Sequence, residues 1–166
     1  MLLMKKILCL LVALAVMSPA MGFSSDKDLY LNAFGETALA YLNDSFLLLC
    51  TTADGFVADI IQKKTAGEIA KNVQKRVRII RAKLKAVAES PISEMDKKLI
   101  GLLDKAYACM DHQAWALLEF VQEKSPDTRR RFDEERSTCL ERVNKIAEFY
   151  ATLPPAPELP EPLSTR

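Results

Sequence analysis

Three cysteines and one histidine are the residues of this sequence best suited to chemistry. Cys50, Cys109 and Cys139 are thiols of the main body of the chain, and His112 is its only histidine. His112 follows Cys109 by three, a spacing that puts both side chains on one helix face. Imidazole and thiolate together favour zinc or copper(I), so Cys109 and His112, with Cys50 or Cys139 nearby, form the one metal-site candidate. A disulfide would consume two of those thiolates, and no metal or other cofactor is expected. Haem is poorly supported, because no Cys-x-x-Cys-His attachment sequence occurs.

Catalytic signals are missing. The chain has no Gly-rich phosphate loop, no Gly-x-Ser-x-Gly elbow and no His-Glu-x-x-His. Asp111 adjoins His112, but consecutive helical residues diverge by about 100° and cannot act as a dyad. Glu134 and Glu135 fall in a charged stretch that reads as a solvated face. The chain is expected not to be an enzyme.

Charge is the more distinctive signal. Residues 63–85 hold nine cations against the single acid Glu68. Lys71, Lys75, Arg78 and Lys85 are spaced to share the helix side opposite an apolar stripe, forming an anionic-contact candidate. Acids on neighbouring helices could instead neutralise them. A second cluster, Arg129-Arg130-Arg131, falls in the first turn of a helix, where cations oppose the dipole. Without Lys5 and Lys6 the chain has 21 basic and 22 acidic residues, so nothing demands nucleic acid as a partner.

The elements that must position these groups are helices. Apolar spacings of three and four dominate, and no alternating stretch suggests a strand. Ser25 with Asp28 opens a first helix carrying Leu31, Phe34, Ala38, Leu42, Phe46 and Leu49. Ile69, Val73, Val77, Ile80, Leu84 and Val87 mark a second. Ser93, with Asp96 three residues on, caps a third, whose stripe runs from Met95 through Leu103, Met110 and Leu117 to Val121. Ser125-Pro126-Asp127 supplies a cap, a first-turn proline and a favourable acid for a fourth. The break between the first two helices has two candidates, Thr51–Gly55 and the capping-box-like Thr65–Glu68. Either choice leaves four helices of roughly 25–35 residues, about 40–50 Å long at 1.5 Å per residue. Short connections imply an all-α, up-down-up-down four-helix bundle. The alternative is a long, kinked first helix beside a three-helix unit.

The last hairpin sets a cysteine register. Its turn lies near residue 125, with Cys109 sixteen residues before it and Cys139 fourteen after it. In an antiparallel pair those positions share a height, so a Cys109–Cys139 disulfide is expected. Cys50 is then the unpaired thiol. A turn at Thr65 would put it level with the other two; a turn at Gly55 would put it near the end of the bundle.

Residues 1–22 read as a cleaved signal peptide of bacterial type: Lys5 and Lys6, the apolar run 7–16, then Ala20-Met21-Gly22 as cleavage site. The bundle domain would occupy 23–152, with no transmembrane segment, in the periplasm or secreted. Residues 153–166, with five of the eight prolines, read as a disordered tail. The expected role is contact with a protein or an anionic envelope component through the basic helix and the tail. A small-ligand or metal-binding bundle around Cys50, Cys109, His112 and Cys139 is the alternative.

Overall fold

A computed structural model describes residues 26–152, with side chains from residue 33 onward. The segment read as a signal peptide and the proline-rich tail lie outside the described residues, as do Ser25 and the side chain of Leu31. Four helices make up the rest: α1 Asp26–Val57, α2 Lys63–Ala88, α3 Glu94–Glu123 and α4 Pro126–Ala151. They form an all-α four-helix bundle in which consecutive helices pack together in an up-down-up-down arrangement. Helix α3 is its hub. It packs closely along both α2 and α4, and α1 lies mainly on α3 and α2.

The third and fourth helices start where local chemistry starts them. Ser93 Oγ accepts the Asp96 amide at 3.1 Å. Ser125 and Thr128 form a reciprocal capping box, with Pro126 in the first turn, where its missing N–H costs nothing.

The first break falls between the two sequence candidates. Helix α1 ends in a Schellman closure: Asp59 is left-handed at φ 56°, its amide donates to Phe56 O, and the Ile60 amide donates to Gly55 O at 2.8 Å. Thr65 is no cap but part of the first turn of α2, whose N-cap, Gln62, makes no side-chain capping bond. Gly55 serves close packing rather than the bend. A Cβ there would lie 2.7 Å from Ile61 Cδ1, because the chain folds straight back over it. Two lysines at the start of α2 oppose its dipole. Lys63 finds a compensating partner, donating to Gln122 O near the end of α3 at 2.8 Å.

The core follows the expected stripes. Leu42, Leu49, Val77, Leu84, Leu103, Met110, Leu117, Phe132 and Ile146 are fully buried or nearly so. Burying side chains of this size is worth about 1.5–3 kcal/mol each. Met95, expected at the head of the α3 stripe, is half exposed instead, lying in the first turn where little packs over it. Small residues matter more in α2 than its stripe suggests: Ala66 and Ala70 are completely buried and let the helix sit close. The Tyr107 hydroxyl, buried in α3, donates to the Ala38 carbonyl of α1.

Candidate functional site

The thiols do not come together as one site. Cys109 of α3 and Cys139 of α4 form a disulfide with Cα atoms 5.4 Å apart, within the range such a bond requires. Cys109 therefore offers no thiolate to a metal, and His112 is exposed on the outer side of α3. Among the described residues no group of three or more His, Cys, Asp or Glu side chains could hold a metal ion.

Cys50 is free and buried. Gln113, one turn beyond Cys109 on α3, points its Nε2 at Cys50 Sγ across 3.6 Å. Cys50 thus sits neither level with the disulfide nor at the tip of the bundle, but about one helical turn from the disulfide, because the α1–α2 turn is centred near residue 60. Burial pushes its pKa up to about 11, only partly offset by the charge of Arg136 and the Gln113 hydrogen bond. A thiol held protonated in this way is a poor nucleophile and a poor ligand.

Four of the five arginines of α4 are neutralised. Arg129 Nε binds Asp133 at 2.9 Å and its Nη2 reaches Asp54 of α1 at 3.3 Å. The same guanidinium lies 5.6 Å from the Phe120 ring centre. Arg131 binds Glu119 at 3.0 Å and covers the half-exposed Trp115 ring at 4.6 Å. Arg130 pairs with Asp127 at 3.4 Å, and Arg136 joins Arg129 on Asp54. The one tryptophan is therefore the underside of a cation–π contact at the edge of the core.

The α2 face is different. Two of its cations are claimed by α3: Arg78 Nε grips both Asp111 oxygens at 3.0 and 3.1 Å, and Arg81 Nε binds Asp104 at 3.0 Å. Lys64, Lys71, Lys75, Arg76, Lys83 and Lys85 are exposed and form no ion pair among the described residues. Of the four residues expected in the contact stripe, Lys71, Lys75 and Lys85 face solvent unpaired. Arg78 lies beside them, tethered yet still well exposed. Arg76 and Lys83, counted in sequence with the nine cations of this helix but not in its stripe, flank the stripe on its other side. For Arg78 the alternative reading holds, in which acids of a neighbouring helix neutralise the stripe: Asp104 and Asp111 stand seven residues apart on one face of α3.

No helix among the described residues is long and apolar enough to cross a membrane. Compared with protein-family models, curated proteins and solved structures, this chain matches none.

Proposed function

We propose that this chain is an exported, non-catalytic binding protein that holds an anionic envelope component on the outer face of α2. The observation that carries this reading is the set of six exposed α2 cations that have no ion-pair partner among the described residues. Like charges crowded on one helix repel, so the arrangement costs stability unless a partner supplies the missing anions. Outside α2, Lys98, Lys105, Arg142 and Lys145 also form no ion pair among the described residues, but they are spread over two helices, so what sets α2 apart is six such cations on one helix.

The test compares the wild-type chain with a triple variant, Lys71→Glu, Lys75→Glu and Lys85→Glu, against polyglutamate and against anionic vesicles. Salt-sensitive binding to at least one of these, weakened roughly tenfold or more by the variant, is the expected result. If the wild-type chain binds neither, or the variant binds as well as wild type, the reading is wrong.

A further inference from the structure

We propose that the α2 face docks on an anionic lipid bilayer, reading lipid phosphates rather than a soluble acidic polymer. This rests on the function proposed above and adds the source of the negative charge.

The face is not uniformly basic. Ile79, Ala82 and Ala86 run along its middle at i, i+3 and i+7, all exposed, with Ile79 at 49%. At 100° per residue, Lys71, Arg78 and Lys85 border this ridge on one side and Arg76 and Lys83 on the other, while Lys75 and, further toward the start of the helix, Glu68 lie on the line of the ridge itself. An apolar ridge between two rows of cations has no use for a hydrated polyanion, which needs the cations alone. A bilayer surface offers both parts: phosphates at headgroup level for the rows, and a drier layer just beneath for the ridge.

Helix α1, packed beside α2, presents a second feature of the same kind. Its exposed Ala40, Leu47 and Leu48 are apolar, and the exposed acid Asp44 lies on the same side of the helix. Thr37 and Thr51 turn their hydroxyls back onto the Ala33 and Leu47 carbonyls at 2.7 and 2.9 Å. Those hydroxyls keep their hydrogen bonds when water leaves.

An acidic protein fits less well. Five of the six unpaired cations are lysines, a residue depleted from protein interfaces, and α2 contains no aromatic residue to anchor one.

The experiment is co-sedimentation of the full chain with vesicles of mixed phosphatidylglycerol and phosphatidylcholine, with phosphatidylcholine vesicles alone, and a parallel titration of polyglutamate. Circular dichroism confirms that each variant is folded. Binding to the anionic vesicles should exceed binding to the neutral ones, and each lysine reversed should weaken it by roughly fivefold. Ile79→Gln, which leaves every charge in place, should lower vesicle affinity several-fold and leave polyglutamate binding unchanged. Tight polyglutamate binding with no effect of Ile79→Gln on vesicles overturns the bilayer and leaves the anionic surface standing. Vesicle binding that survives reversal of Lys71, Lys75 and Lys85 overturns the assignment to α2. Failure to bind either vesicle or polymer overturns this inference and the proposed function together.

Discussion

The first turn of α4 and the outer face of α2 are both dense in positive charge, and the bundle treats them in opposite ways. In the first half of α4 the cations are all arginines, and Arg129, Arg130, Arg131 and Arg136 have carboxylates within 3.5 Å. Two of them also lie over aromatic rings. On α2 the two arginines facing α3 are paired in the same manner, Lys63 donates to Gln122 O, and the remaining six cations, mostly lysines, are left to water. The planar guanidinium is suited to fixed, bidentate partners, whereas the ammonium is a strongly hydrated point charge on a flexible stem. Arg78, Arg81, Arg129, Arg131 and Arg136 join one helix to another, whereas most lysines of α2 charge the surface.

This contrast can be broken or sharpened by experiment. The largest effect concerns the disulfide, which ties α3 to α4 and leaves α2 untied. Replacing Cys109 and Cys139 with serine should cost about 3–4 kcal/mol in chemical denaturation, given the thirty-residue separation. Just below the unfolding transition, polyanion binding by the folded fraction should be unchanged. A loss of that binding would show that the two regions are not independent.

Next in size is the contrast between the two kinds of cation. Arg129→Met removes two ion pairs and a ring contact from a side chain only 28% exposed, and should cost about 1–2 kcal/mol. Lys75→Met should change stability by no more than about 0.5 kcal/mol while weakening anion binding. Equal losses from both, measured by urea unfolding, would erase the distinction.

Cys50 gives a pH signature to the neutral interior between them. Burial raises its pKa from 9.0 to about 11, so the unfolded chain ionises it first. The stability it contributes is present below pH 9 and is lost as pH rises from 9 to 11. The Tyr107 hydroxyl, also raised by burial, acts in the same direction at higher pH. Alkylation near neutral pH should modify Cys50 only after denaturation; rapid labelling of the folded chain would contradict the burial.

The smallest effect is a gain. Asp111→Asn frees Arg78 from its bidentate partner and makes the α2 face resemble the α4 arginines less. Affinity for anionic vesicles should rise roughly twofold to fivefold, with stability falling by less than about 1 kcal/mol.

Much of this architecture was legible in the residues. Ser93 and Ser125-Pro126 mark helix starts because capping is chemistry between neighbours in sequence. Once the α3–α4 turn was placed, the Cys109–Cys139 pair followed from counting residues along two antiparallel helices. The α1–α2 turn was not legible. It is closed by a left-handed Asp59 with no glycine or proline at the bend, while Gly55 answers to the packing of Ile61. Thr65 and Glu68 had the form of a capping box without the position of one.

The sequence by itself determined that four amphipathic helices form and roughly where three of them start, since periodicity and capping depend on residues a few positions apart. It also determined that positive charge concentrates on α2. Only the tertiary structure decided which of those charges are free. Ion pairing depends on which acids the neighbouring helices bring within about 4 Å. Asp111 and Asp104 reach Arg78 and Arg81 across the α2–α3 contact, and among the described residues no such acid reaches Lys71, Lys75 or Lys85 on the far side of the same helix.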